Sequence, residues 1–463
     1  MTTSLQPKQI AQLEAIVGTE NCLTAGADRL THAYDATQRR YLPHLVVYPN
    51  STEEVSRIMC LAHAWRLPVT PRGAGSGFSG GALPVMGGIV LVLTRMNRIL
   101  EIDRENFIAV VEPGVVTADF QRQVESLGLF YPPDPASKEF CTLGGNIAEN
   151  AGGPRCLKYG VTRDYVLGLT VVSAQGEVFR CGGRTLKNVV GYDLTHLFVG
   201  SEGTLAIVTA MTLRLLPKPA SKKTMLAQFA SIGGAARAVT GIIAGKIIPA
   251  TLEFMDAATL SCVRDRSPIP LPDQCKAALI IETDGDAVHA EAQMAAIAAL
   301  IAPHDFLGGQ LAATSEEAER IWQVRRAISP SLKQLGPDKF NEDIVVPRAQ
   351  LPDMIAALEE IAVRFQVRIV NFGHAGDGNI HVNIMVDLSQ DGVPERARQA
   401  VEAVFQAAVR LGGSISGEHG IGTVKAGYLG LEIDPVAMSM MRRVKAAFDP
   451  DNILNPEKIF PPL

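Results

Sequence analysis

Apolar residues recur at three-to-four spacing over Lys8–Val17 and Glu53–Trp65, which predicts two amphipathic helices. Between them Leu45-Val46-Val47-Tyr48, closed by Pro49-Asn50, reads as a buried strand. Ser51 followed three residues later by Glu54 is the signature of a capping box for the second helix. After the extended run Pro68–Arg72 and a glycine cluster, the segments 88–93, 107–111, 168–174 and 205–216 are β-rich and bounded by turn residues. The series stops at Pro217-Lys-Pro219, so residues 1–219 read as one α+β domain. From Ser221 the texture changes. Strand-like runs (225–229, 277–281) alternate with alanine-rich amphipathic stretches (235–243, 287–301, 351–365), which predicts a sheet with helices on one face over 220–415. The last stretch, 416–463, holds a predicted helix over 438–448 and a Pro/Asn-rich extended end.

Composition narrows the class. With 463 residues, 47% hydrophobic and 20% charged, the chain is neither disordered, collagenous nor a coiled coil. Its 43 basic and 48 acidic residues leave a net charge of −5, which gives no reason to expect nucleic acid or an anionic membrane as partner. Seven scattered cysteines never form C-x-x-C, which argues against a disulfide framework and against an iron–sulfur or zinc–thiolate site within the chain. The first residues, MTTSLQPKQIAQLEAIVG, lack a basic stretch followed by an apolar one, and no run approaches the ~20 apolar residues of a membrane span. A soluble, intracellular, globular protein is expected.

The glycines carry the first chemical signal. Pro71-Arg-Gly-Ala-Gly-Ser-Gly-Phe-Ser-Gly-Gly81 places five glycines in the nine residues from Gly73. Such a loop can aim successive N–H groups at one anion, an arrangement suited to a pyrophosphate. It partly matches the dinucleotide fingerprint, but no β-α-β unit ending in an acidic residue surrounds it, so a Rossmann NAD site is rejected. Further stations follow at Pro113-Gly114, Tyr131-Pro-Pro-Asp-Pro135, Thr142-Leu-Gly-Gly-Asn-Ile-Ala-Glu-Asn-Ala-Gly-Gly153, Lys158-Tyr-Gly160 and Gly200-Ser-Glu-Gly-Thr204. Together they imply that backbone approaches one large ligand from many places.

These motifs, with Gly373-His-Ala-Gly-Asp-Gly-Asn379, Ser416-Gly-Glu-His-Gly420 and Asp449-Pro-Asp-Asn-Ile-Leu-Asn-Pro456, make the chain similar to a known family from about Leu45 onward. It resembles the FAD-linked oxidases and dehydrogenases of the vanillyl-alcohol oxidase and p-cresol methylhydroxylase type, in the branch of the glycolate oxidase subunit, D-lactate dehydrogenase and D-2-hydroxyglutarate dehydrogenase. The resemblance implies an α+β fold with a two-subdomain FAD-binding domain over 1–219. It implies a substrate (cap) domain over 220–415, its sheet covered by helices and carrying most of a metal site, and a segment over 416–463 returning to the FAD domain. It also implies an FAD site built from Pro71, Arg72, Gly73, Ala74, Gly75, Ser76, Gly77, Pro113, Gly114, Pro133, Asp134, Thr142, Gly144, Gly145, Asn146, Asn150, Gly152, Gly153, Tyr159, Gly160, Glu202, Gly203 and Asn455. Some relatives attach FAD through a His or Cys. The Gly73–Gly81 loop has neither, so non-covalent FAD is expected.

A second constellation is Val367–Met385, which reads as strand, glycine turn, strand. The period of two puts His381, Asn383 and Met385 on one face and Ile380, Val382, Ile384 and Val386 on the other. The second set predicts core, so the first is expected to point away from core, with His374 beside His381 at the hairpin mouth. Glu418-His419 sits between glycines in a separate loop. His374, His381 and Glu418 form a two-histidine, one-carboxylate set suited to Zn²⁺ and equally to Mn²⁺ or Fe²⁺. The resemblance implies the same three metal ligands and gives the position of His419 to a general base. It also gives Arg325 and Lys339 to substrate contacts, and Asn383 on the histidine face is a further candidate.

Oxidising a 2-hydroxy acid needs a base for the hydroxyl proton, an electrostatic partner for the alkoxide and a two-electron acceptor. The expected reaction is oxidation of D-lactate or glycolate to the 2-oxo acid with FAD, with D-2-hydroxyglutarate as runner-up substrate. A metal-dependent hydrolase and a flavoprotein that only relays electrons are the rivals from other classes. The resemblance implies an electron acceptor: an iron–sulfur partner subunit, an electron-transfer flavoprotein, or a quinone or cytochrome chain. The expected location is the cytoplasm, with peripheral inner-membrane attachment through such a partner, and a homodimer is compatible with this reading.

Overall fold

The computed structural model describes residues 5–461. The first four residues of the segment read for a targeting signal and the last two of the C-terminal stretch lie outside the described residues. The chain forms two compact units. The first runs through Gly152, resumes at Val161–Lys218 and again from Glu418; the second comprises Gly153–Gly160 and Pro219–Gly417.

In the first unit the two opening helices form as the periodicity predicts, at Pro7–Val17 and Thr52–Trp65. Ser51 Oγ accepts the Glu54 N–H at 3.2 Å, and the Glu54 carboxylate reaches back to the Asn50 N–H at 2.7 Å. The second helix buries Val55, Ile58, Met59 and Ala62 in a cluster with Leu45, Val47, Ile89, Leu91, Ile453 and Leu454. Each fully buried aliphatic side chain there contributes roughly 1.5–3 kcal/mol relative to exposure. Leu45–Val47, Ile89–Val92 and Val69–Arg72 pair in parallel, with Cys22–Leu23 antiparallel at one edge. A five-stranded antiparallel sheet follows in the order Ile99–Asp103, Ile108–Val111, Ile207–Arg214, Val166–Val172, Val178–Gly182. The C-terminal stretch joins this unit: the Val69 N–H bonds Ile453 O at 2.7 Å and the Asn455 N–H bonds Val69 O at 2.8 Å, just ahead of the Gly73–Gly81 loop.

The second unit is one antiparallel sheet of seven strands, in the order Phe306–Leu311, Ser221–Phe229, Ala277–Gly285, Thr251–Asp256, Arg368–His374, Asn379–Val386, Asp338–Val345. Helices Ala257–Val263, Ser315–Arg326 and Ile328–Leu332 supply Leu260, Val263, Ile321, Val324, Ile328 and Leu332 to a cluster with Met255, Ile280, Val370, Phe372 and Met385 of one sheet face. Helices Leu351–Phe365 and Val393–Arg410 contact the Arg368–His374 and Asn379–Val386 strands, whose alternate residues Ile380, Val382 and Ile384 are buried on the opposite face. The expected one-sided covering is therefore corrected to a covering of both faces. The histidine face is corrected as well. Every residue of Asn379–Val386 is buried, Asn383 completely, and Met385 belongs to the core cluster. The strand lies inside the sheet, between the Arg368–His374 and Asp338–Val345 strands, and helices from 257–332 cover the face that alternation alone had set apart from the core.

Candidate active site

The glycine stations of the first unit meet. The Gly144 N–H bonds Pro113 O at 2.8 Å, and a Cβ on Gly144 would stand 2.6 Å from Pro113 Cβ, so a side chain there would force these segments apart. Thr142 caps helix Leu143–Glu149 by accepting the Gly145 N–H at 3.3 Å, and buried Asn146 donates to Thr117 Oγ1 at 2.8 Å. The helix ends at Asn150 in the left-handed region, φ 55°. The Gly200 N–H bonds Ile147 O and the Glu202 N–H bonds Ala148 O, each at 2.8 Å. Asn455 Nδ2 donates to Gly81 O at 2.8 Å and Glu202 O at 2.7 Å. Gln121 Nε2 holds the carbonyls of Tyr131 and Pro133, at 3.1 and 2.8 Å, in the proline-rich segment that continues to Asp134. Asn150, Glu202 and Asn455 all carry positive φ without being glycine, a strain of order 1–3 kcal/mol at Glu202 and less at the two asparagines, which enter this region more readily.

Two observations fit this cradle to a dinucleotide cofactor. Among the described residues the N–H groups of Ala74, Gly75, Ser76 and Gly77 donate to no protein acceptor, which leaves a row of donors for an anion. The Arg72 guanidinium packs against Gly75 of that loop and braces it, donating to Tyr34 O at 2.8 Å and Ala82 O at 3.4 Å. Gly152 stays with the first unit. Gly153, Tyr159 and Gly160 lie in the second, where Tyr159 Oη donates to Asp284 Oδ2 at 2.7 Å and Lys158 forms an ion pair with the same carboxylate.

Under the cradle Glu202, expected from its motif, meets charged groups that the motifs did not announce. The Glu202 carboxylate accepts the N–H groups of Ile421 and Gly422, both at 2.7 Å. Burial raises its pKa, against the pull of those N–H groups and of Lys458 and Lys425. Burial lowers Lys458 to about 8, against Glu202 and Asp35, and its Nζ donates to Leu83 O at 2.7 Å. Glu149 accepts from Ser79 Oγ at 3.0 Å, and burial together with the neighbouring Glu202 pushes its carboxyl well above the usual range. His419, in the same unit, stacks on Phe78 with ring centroids 5.2 Å apart.

In the second unit, strand register collects the other candidates on one sheet face. His381 stands opposite Phe372 and Asp343, Asn383 opposite Val370 and Asn341, and Lys339 opposite Met385. His374 pairs with Glu253 of the Thr251–Asp256 strand. The rings of His374 and His381 are perpendicular, 5.1 Å between centroids. Glu253 is fully buried and pairs with two side chains, His374 through Nδ1 and Arg325 through Nε, the latter at 2.7 Å. Burial raises its carboxyl, but His374 and Arg325 outweigh it and hold it below the ordinary value. The Arg325 guanidinium also lies 4.5 Å over the Phe372 ring. Asp343 stands 3.8 Å from His381 Nδ1 and accepts the Gly417 N–H at 2.8 Å. Glu418 is the next residue along the chain and opens the final stretch of the first unit. Asn383 Nδ2 donates to Val370 O and His381 O, at 3.3 and 3.2 Å, and its Oδ1 is buried without a partner. Lys339 is exposed.

Glu253, Asp343 and Glu149 escaped the motif reading. Glu253 had one visible signal, a lone acid within the apolar run Thr251-Leu-Glu-Phe-Met-Asp256.

Residues 43–182 match the model of an FAD binding domain, and residues 218–459, more than half the chain, match that of the C-terminal domain of FAD linked oxidases. The chain belongs to the FAD-linked oxidase family. It is 49% identical over 450 residues to the glycolate oxidase subunit GlcD of Bacillus subtilis strain 168, covering 97% of this chain and 96% of that protein. It is 35% identical over 466 residues to the D-lactate dehydrogenase of Anaerostipes hadrus, covering 98% and 96%. A p-cresol methylhydroxylase solved with substrate bound superimposes with a TM-score of 0.81 at 18% identity, over 98% of this chain and 96% of that one, a likeness of fold alone. The fold is thus that of the p-cresol methylhydroxylase type, FAD is the cofactor, and the chain is an FAD-linked oxidoreductase. This family assignment removes the hydrolase reading. Among the described residues no helix is long and apolar enough to cross a membrane.

Proposed function

We propose that the protein oxidises a D-2-hydroxy acid, D-lactate or glycolate, to the 2-oxo acid and passes the electrons to a separate acceptor protein. The names of its relatives favour this substrate class. The observation that carries the reading is the bond from buried Glu253 to His374 Nδ1. A histidine that ligates a metal characteristically gives its other ring nitrogen to a carboxylate, which fixes the tautomer and aims the ligating atom. His374 would present Nε2, with His381 beside it and Glu418 one residue beyond the anchored Gly417. This donor set suits Zn²⁺ first, and Mn²⁺ or Fe²⁺ by the same chemistry.

In the reaction His419 takes the hydroxyl proton of the substrate. Arg325 and Lys339 supply positive charge for its carboxylate, Arg325 held in orientation by Glu253 and by the Phe372 ring. Asn383 offers its unpartnered Oδ1 within the same sheet face. FAD, bound non-covalently, supplies the acceptor for the C2 hydrogen with its electron pair, and a bound divalent cation supplies polarisation of the hydroxyl and carboxylate oxygens. The products balance as one 2-oxo acid, one proton on His419 and one reduced flavin. The electrons then leave to an iron–sulfur partner subunit, an electron-transfer flavoprotein, or a quinone or cytochrome chain.

The test is anaerobic mixing of the purified flavoprotein with D-lactate, glycolate, D-2-hydroxyglutarate and the L-isomers. Bleaching of the flavin by a D-2-hydroxy acid is expected; a flavin that no hydroxy acid reduces would leave an electron relay as the function. Dialysis against a chelator should abolish turnover and added Zn²⁺ or Mn²⁺ should restore it, and full activity without metal would remove the cation. Acid precipitation should release all the flavin.

A further inference from the structure

Two carboxyl groups, Glu149 and Glu202, approach the same pair of glycines in the first unit. A Cβ on Gly81 would stand 2.8 Å from Glu149 Oε1 and 3.7 Å from Glu202 Oε2. A Cβ on Gly420 would collide with Glu149 Oε2 and stand 3.1 Å from Glu202 Oε1. The acids therefore meet where the turn of the phosphate-cradle loop passes the turn that follows His419. Their surroundings differ. Glu202 is only 5% exposed and is satisfied as an anion by two N–H groups and two lysines. Glu149 has one donor, Ser79 Oγ, and that hydroxyl also accepts the Gly81 N–H at 3.2 Å. Glu149 Oε2 is withdrawn from solvent with no hydrogen-bond partner.

We propose that Glu149 works as a neutral carboxylic acid, a positioning residue that shares a single negative charge with Glu202 and so ties the Ser79–Gly81 turn to the Gly420–Gly422 turn around the FAD cradle. The physical reason is electrostatic. Two anions buried against one another repel strongly in a low-dielectric interior, and a bare carboxylate oxygen without a donor there is costly. One proton on the pair removes both costs and turns Oε2 into a donor. The charged groups facing the pair are Asp35 and Lys425 toward Glu149, and Lys425 and Lys458 toward Glu202. Asp35 adds negative charge on the Glu149 side, itself answered by Arg72. The inference rests on the family's FAD alone and is independent of the metal and the substrate.

The experiment strips FAD from the protein and titrates it back by flavin fluorescence from neutral to alkaline pH, for wild type and Glu149→Gln, an uncharged side chain of the same size. The wild type should lose affinity by at least about tenfold as Glu149 ionises, the fold-change of one unit in linked protonation. E149Q should bind FAD as the neutral wild type does and lack that loss. Parallel profiles would assign the loss to Lys458 and overturn the proposal, as would a Gln variant weaker than wild type at neutral pH. Infrared spectroscopy supplies a reading that needs no variant to fold. A neutral-acid carbonyl band at neutral pH is expected in the wild type, absent in E149Q, and a wild type without the band refutes the assignment.

Discussion

In the second unit the buried acid Glu253 lies between a histidine and an arginine, whereas in the first Glu149 lies beside another acid, Glu202. Burial acts on both in the same direction, raising the carboxyl pKa, and is the largest influence in each. The neighbours decide the outcome. His374 and Arg325 pull Glu253 below its ordinary value, while Glu202 adds to the rise at Glu149. The contrast separates two uses of a buried acid. One holds a histidine and an arginine in fixed orientation; the other closes a joint between loops without adding charge. A stretch of sequence cannot distinguish them, because the deciding neighbours are brought in from elsewhere in the chain.

The comparison can be strained from either side. The largest effect is expected from Glu253→Gln, which leaves Arg325 without its anion and His374 without its carboxylate partner and should cost about 3 kcal/mol of unfolding free energy, the scale of breaking a buried pair. Chemical denaturation measures it, and a loss below about 1 kcal/mol would mean that the Glu253 pairing does not hold these side chains. Next, His419→Asn should keep FAD bound yet slow flavin reduction at least ~10²-fold, the lower range for a lost general base. Anaerobic rapid mixing reads it, and an unchanged rate would take His419 out of the reaction. Third comes pH. A carboxyl whose folded pKa exceeds its unfolded value stabilises the folded state fully at acid pH, and that contribution is lost as pH rises from the ordinary carboxylate range through the raised one. Glu149 should therefore make wild-type stability decline over that window, and E149Q should flatten the decline in thermal melts at several pH values. The smallest effect belongs to Thr142→Ala, a lost helix cap in the cradle worth about 1 kcal/mol; a neutral result would show that Leu143–Glu149 is fixed by packing instead.

Local chemistry was legible where it is local. The Ser51 cap, the flanking helices and the hairpin that brings His374 to His381 follow from short-range spacing and turn residues. Glu253 was not, because it lies 121 residues from His374 and meets it only through pairing of two strands far apart in sequence. Alternation assigned His381, Asn383 and Met385 correctly to one face but could not tell that helices from 257–332 would cover it. The run Gly153–Gly160 shares the glycine texture of the cradle beside it, yet its partner is Asp284. Nothing in a glycine count identifies the unit to which the glycines belong.

That short run has a practical consequence. The chain crosses between its units after Gly152, Gly160, Lys218 and Gly417. A fragment cut at 219–417 would strand Asp284, 8% exposed in the intact protein, without the lysine and tyrosine that cover it. Dissecting this protein into separately expressed halves therefore calls for grafting the octapeptide back onto the sheet, or for replacing that acid with a neutral residue.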